Sequence, residues 1–123
     1  MSEHFKEAEF RCKCTRCKRL IPAIVDNRLY DLLEHVRSAV GRPMYITSGY
    51  RCAPHNAEVG GKPTSDHLNG TAADVVVTSD KDRLSMVKAA LEYGCRRVGV
   101  YQSFIHLSVN PENPQNVMWL GND

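Results

Sequence analysis

Apolar positions recur at helical spacing in two stretches of this chain and in short β-prone runs in four others. In PAIVDNRLYDLLEHVRSAVG, residues Ile24, Val25, Leu29, Leu32, Leu33, Val36 and Val40 share one helical face. Pro22 suits a first turn there, and Gly41 and Pro43 suit a stop. SDKDRLSMVKAALEYG predicts a second helix, with Ser79 or Asp80 as N-cap, Asp82 in the first turn and Gly94 at the end. The runs MYITS (44–48), GTAADVVVT (70–78), RRVGVY (96–101) and FIHLSV (104–109) read as strands, the last two joined by Gln102 and Ser103.

Between the first two strands, positions 49–69 are polar and broken by Pro54, Gly60, Gly61 and Pro63. That segment predicts a long functional loop with room for one helical turn. The first twenty residues read as an irregular cysteine-containing arm. The segment from Asn110 onward reads as a tail rich in Pro and Asn, with Trp119 docking back on the body. The sum is one α+β domain over 1–123: a small, mostly antiparallel sheet with helices packed on one face.

Composition narrows the function classes. The 123 residues are 42% hydrophobic and 24% charged, enough to bury a core, and the formal charge of +2 implies neither nucleic acid nor a membrane surface as partner. No window approaches the apolar length of a membrane span. MSEHFKEAEF lacks the basic-then-apolar layout of a secretory signal, so the expected setting is cytoplasmic as synthesised, and a monomer is expected. Five cysteines, an odd number, argue against a complete disulfide framework. Cys12, Cys14 and Cys17 offer three thiols without an evident fourth ligand, so they read as reduced, partly buried thiols in the arm. Cys52, beside Arg51 and three residues before His55, has no third group to orient it as a nucleophile.

The chemistry concentrates in SDHLNGTAADVVV and FIHLSV. Alternation puts Phe104, His106 and Ser108 on one face of the last strand, and Ala72, Asp74 and Val76 on one face of the second. Were these strands sheet neighbours, Asp74 and His106 would face each other, and His67 could fold over the same spot from the loop. Two imidazoles and a carboxylate with one position open is how a catalytic zinc is held. A lone histidine on a strand is ordinarily a satisfied residue, so His106 by itself carries no site. An aspartate inside an apolar strand is harder to dismiss, because burying its charge is costly unless a metal or another cation compensates.

Taken together, SGYRCAPHNAEVGG, SDHLNGTAADV and VGVYQSFIHLSV resemble the zinc D-alanyl-D-alanine carboxypeptidase family, peptidase family M15, in its small single-domain branch. The resemblance runs from about the first helix to Val109, with Ser-x-His, Gly-x-Ala-x-Asp and Ile-His in the family order. It implies the fold shared with the hedgehog signalling domain, and zinc held by His67, Asp74 and His106. It also implies that Arg51 reaches into the cleft to steady a substrate carbonyl or carboxylate, a task suited to a planar guanidinium. Ser65, His55 and Asn56 match family positions and read as groups that support the ligand histidines or shape the loop.

The expected activity is attack of a metal-activated water on peptidoglycan stem peptides. The expected setting is that of a phage-type lysin, released by a holin or carried on a virion. One family feature is missing. Active members usually carry an acidic base shortly before the last histidine, whereas Tyr101 to His106 contains no carboxylate. Many small members have an acid two residues after that histidine, where this chain has Ser108. Gln102 and Ser103 can hydrogen-bond a water but not take its proton at neutral pH, which leaves Asp66, Glu58 and His55 as substitutes. The competing reading is a catalytically weak zinc-containing domain that binds cell-wall peptides.

Overall fold

The computed structural model describes residues 2–122. Three helices, α1 (Asn27–Val40), α2 (Ala53–Glu58) and α3 (Asp80–Tyr93), accompany five strands. The strands are β1 (Ile46–Ser48), β2 (Ala72–Val76), β3 (Arg97–Val100), β4 (Phe104–Ser108) and β5 (Val117–Leu120). They form one sheet in the order β1-β2-β4-β3-β5. The first four pair antiparallel, and β5 joins β3 in parallel, so the sheet is mixed at one edge. The expected α+β architecture is present, and the segment read as a tail contributes its fifth strand.

Alternation along β2 and β4 divides the sheet into two chemically distinct faces. Ala73, Val75, Ile105 and Leu107, with Val98 of β3, are fully buried against Leu29, Leu32, Leu33 and Val36 of α1 and Met86, Ala89 and Ala90 of α3. Asp74, His106 and Ser108 point the other way. The first helix begins later than its apolar spacing suggests. Asp26, not a residue near Pro22, is the N-cap, its carboxylate accepting from the Arg28 amide at 2.8 Å. Residues 22–26 are not helical; the Asp26 amide donates to the Gly70 carbonyl at 2.9 Å. A side chain at Gly70 would strike the Ile24 carbonyl, and its φ of +67° is a conformation glycine adopts without strain. The end of α1 at Gly41 and both ends of α3, Ser79 and Gly94, fall where the sequence puts them.

The arm is part of the core. A 3-10 turn at Glu7–Phe10 presents Phe10, which with Phe5 is fully buried; Phe10 meets Tyr30 edge-on at 5.3 Å. The Tyr50 amide donates to the Phe10 carbonyl at 2.9 Å, and a Cβ on Gly49 would collide with Phe10. Among the described residues, no helix is long and apolar enough to cross a membrane.

Candidate metal and active site

The polar face of the sheet assembles the site. Asp74 of β2 is the direct register partner of His106 of β4, and Gly99 of β3 lies opposite His106 on the other side. His67 arrives from a 3-10 turn at Asp66–Asn69 that the Ser65 hydroxyl caps by accepting the His67 amide at 3.3 Å. One ligand-competent atom from each of His67, Asp74 and His106 lies within 4.8 Å of the others. His106 Nδ1 is 2.9 Å and His67 Nε2 3.3 Å from the same carboxylate oxygen, Asp74 Oδ1. Ligands about 2.0–2.1 Å from a tetrahedral zinc are about 3.3 Å apart, so these spacings fit such an ion.

The hydrogen-bond partners say which ring atoms are available. His67 Nδ1 is 2.6 Å from the Gly49 carbonyl, which can only accept, so Nδ1 carries the proton and a neutral ring keeps its lone pair on Nε2. That Nε2 is fully buried and finds no hydrogen bond of good geometry. His106 has a carboxylate oxygen at each nitrogen, Asp66 Oδ2 at 3.1 Å from Nε2 and Asp74 Oδ1 at 2.9 Å from Nδ1; with a metal on the Asp74 side, Nε2 would keep the proton and donate to Asp66. Each ring therefore has one nitrogen fixed by an acceptor and the other aimed at a common point, as metal-bound histidines ordinarily do. A divalent cation between two lone pairs and a carboxylate satisfies all three; the donor set fits the zinc that the family resemblance implies.

Without a cation, protons must do that work. Burial opposes charge on His106, but Asp66 and Asp74 on either side outweigh it and raise its pKa. Burial likewise pushes the Asp74 carboxyl upward, yet His106 and His67 hold it well below the usual carboxylate range.

Asp66 is committed to holding His106. Beyond the histidine it accepts from Arg97 Nη2 at 3.0 Å, Asn110 Nδ2 at 3.0 Å and Asn113 Nδ2 at 2.6 Å, and it is buried. Burial alone would raise its pKa; those donors, His106 first, depress it instead. A carboxylate so occupied cannot serve as a proton acceptor, which removes it from the substitutes for the missing base. Glu58, another of these, is exposed and paired with Arg16 at 2.6 Å. His55 lines a small hollow beside Arg51, with Ser48 and Lys13. The Gln102 and Ser103 side chains are exposed at the β3–β4 turn.

Arg51 comes to the site from the loop after β1. Its Nη2 lies 3.9 Å from Asp74 Oδ2, on the carboxylate oxygen that the histidines leave free. Ser48 Oγ accepts from Nε at 3.3 Å, and Asn56 Oδ1 accepts from Nη1 at 3.1 Å. Asn56, buried on α2, is held in turn through Nδ2 to the Lys62 carbonyl. A Cβ on Gly61 would fall 2.1 Å from Asn56 Oδ1 and 3.0 Å from Arg51 Nη1, so glycine there lets the pair close.

Trp119 of β5 completes the surroundings. Its indole lies over Gly99, 5.3 Å from the His106 ring, with the Arg97 guanidinium 5.2 Å above it. The sequence read Trp119 only as a docking residue, and nothing in it linked Asp66, Arg97 or Asn110 to His106. Those contacts exist only because β4 lies beside β2 and the following turn folds back.

A buried two-histidine, one-aspartate cluster that could hold a metal ion, with an adjacent clamped arginine, lies on the sheet face opposite the one packed against α1 and α3. The sequence model of the family described as Peptidase M15 matches residues 3–108, and the chain belongs to that family. Peptidases of this family are generally zinc-dependent, which agrees with the donor set. No curated protein matches the chain.

Proposed function

We propose that this chain is a zinc-dependent peptidase acting on peptidoglycan stem peptides, at bonds involving D-amino acids. Membership of the peptidase family supports hydrolysis of peptides. The observation that carries the metal is the buried Nε2 of His67, which makes no hydrogen bond of good geometry and stands 3.3 Å from Asp74 Oδ1. Zinc held by His67, Asp74 and His106 supplies Lewis acidity, lowering the pKa of a water toward neutrality and polarising the scissile carbonyl.

The chain's own residues do the rest. The Gly49 carbonyl and Asp66 fix the two imidazoles in their ligating tautomers, so no reorganisation is needed when substrate arrives. Arg51, anchored by Ser48 and Asn56, presents its remaining N–H donors beside the ligand carboxylate, where they can stabilise the oxyanion that develops on the attacked carbonyl. Its permanent charge suits a substrate with a terminal carboxylate equally well.

A second reading keeps the metal but not the turnover: a module that grips wall peptides. The absence of a carboxylate from Tyr101 through His106, with serine at 108, favours it. The two separate in one assay. Zinc-loaded protein incubated with purified cell walls or a synthetic stem peptide is expected to release new amino groups, and His67→Ala to stop the release. Peptide binding with turnover no faster than the metal-free form would leave the binding module.

A further inference from the structure

The three arm cysteines are joined by a fourth from across the chain. Cys52, at the start of the loop that carries Arg51, brings its sulfur to 3.7 Å from Cys12 Sγ and 3.7 Å from Cys14 Sγ. The sulfurs of Cys12, Cys14, Cys17 and Cys52 all lie within 4.8 Å of one another, and all four thiols are free. Sulfurs bonded to zinc at about 2.3 Å in a tetrahedron stand about 3.8 Å apart, against about 2.05 Å in a disulfide. The two distances to Cys52 match that tetrahedral spacing and exclude a disulfide, and the remaining sulfurs lie close enough to complete the set.

Three further features of the local chain point the same way. The Cys17 amide donates to Cys14 Sγ at 3.3 Å and the Cys52 amide to Cys12 Sγ at 3.4 Å, bonds that favour sulfur carrying negative charge. Around the turn, Lys18 N donates to the Cys14 carbonyl and Arg19 N to the Cys12 carbonyl, closing the backbone between Cys12 and Arg19 into a compact turn. Lys18 and Arg19 take φ of 49° and 60°, left-handed values that non-glycine residues hold only when their surroundings impose them. Finally, four thiolates with one divalent ion carry a net charge of −2, and Arg11, Lys13, Arg16, Lys18 and Arg19 lie in and beside the same turn.

We propose that Cys12, Cys14, Cys17 and Cys52 bind a second zinc ion, a closed structural site that staples the N-terminal arm to the Arg51 loop. Four protein ligands leave no position for water, which separates this site in kind from the one at His67, Asp74 and His106. Cys52 is covalently next to Arg51, so the staple also fixes one end of the segment that delivers the guanidinium to Asp74. Cys95, the fifth cysteine, is elsewhere, its thiol donating to the Arg97 and Ser108 carbonyls.

The test counts metal and reads its ligands. Protein produced with ample zinc, purified with reductant and dialysed, is expected to hold two zinc ions per chain. The H67A/H106A double variant, stripped of the histidine site, is expected to keep one. Cobalt exchanged into that variant should give intense near-ultraviolet thiolate-to-metal charge transfer and the visible bands of tetrahedral cobalt. Removing the metal should expose four more thiols to a disulfide reagent. A double variant that holds no zinc, a cobalt spectrum without thiolate bands, or a disulfide among these cysteines in the reduced preparation would each overturn the proposal. Failure of the peptidase reading looks different: it shows as zinc-loaded protein that releases no new amino groups, whatever the zinc count at the cysteines. Cys12→Ser and Cys52→Ser should each lower zinc content by one; were they to misfold, the cobalt spectrum of the cysteine-intact variant still decides.

Discussion

The two clusters of side chains that could hold a metal both adjoin the Arg51 segment, one through Asp74 and the other through Cys52, and differ in almost every respect. At the sheet, two imidazoles and one carboxylate would leave a bound ion one open position, and each histidine has an acceptor at its far nitrogen. At the arm, four sulfurs close on one another, and their partners are backbone amides. Harder, mixed donors with a vacancy suit activation of water; soft, complete donors suit holding chain segments together. The difference teaches how a chain this small divides labour: two strands and the turn before β2 aim the reactive set, and an irregular arm without a ladder of its own adds a cross-link to the anchorage that Phe5 and Phe10 give it.

The largest expected effect breaks the comparison outright. His67→Ala should abolish peptide hydrolysis and remove one zinc while leaving the sulfur-bound ion, measured by amine release and elemental analysis on the same sample. Next, Arg51→Ala should lower kcat/KM by about 10²–10³-fold, the usual cost of losing an oxyanion donor, with zinc content unchanged. A smaller value accompanied by loss of zinc would show that Arg51 supports the ligands rather than the substrate.

Asp66→Asn should sharpen the same contrast. It keeps all three ligands but replaces the acceptor behind His106, so zinc affinity at the sheet should weaken by about 10–100-fold in a chelator competition, leaving the thiolate site untouched. Smallest is an effect of pH on the arm. Arg11, by hydrogen bonds to the Glu7 carboxylate, and the Ala23 amide hold its pKa at about 2, against 4.5 ordinarily. Because the folded value is the lower one, this stabilisation is complete above about pH 4.5 and disappears as pH falls toward 2. Glu7→Gln should flatten that part of the acid-unfolding curve.

The legibility of the two sites differs as sharply as their chemistry. Asp74 and His106 were readable as a facing pair because alternation along two strands tells which residues share a face, and the register Asp74↔His106 follows if β2 and β4 are neighbours; His67, in the loop, was joined to them only as a residue that could fold over and by the family resemblance. Asp66 was read only as a spare base, since its four donors come from Arg97, Asn110, Asn113 and His106, scattered over β3, β4 and the turn after β4. The arm was read as irregular because its buried residues, Phe5 and Phe10, have no period to announce them. The late start of α1 escaped for a related reason: Ile24 and Val25 continue the helical spacing, but the Asp26 cap and the Gly70 contact end the helix before it reaches them.

By itself, then, the sequence determined what local rules control: caps at Ser79, Gly41 and Gly94, the period of α1 and α3, and the face on which each strand residue stands. Those follow from backbone sterics and from burial of one apolar face, which act over a few residues. Only the tertiary structure decided that β5 pairs beside β3 to lay Trp119 next to His106, that Asp66 holds an imidazole, and that Cys52 meets Cys12 and Cys14. These contacts join positions up to about forty residues apart in sequence or more, and no periodicity records them; the common core brings such segments together, and side-chain chemistry acts only once they have met.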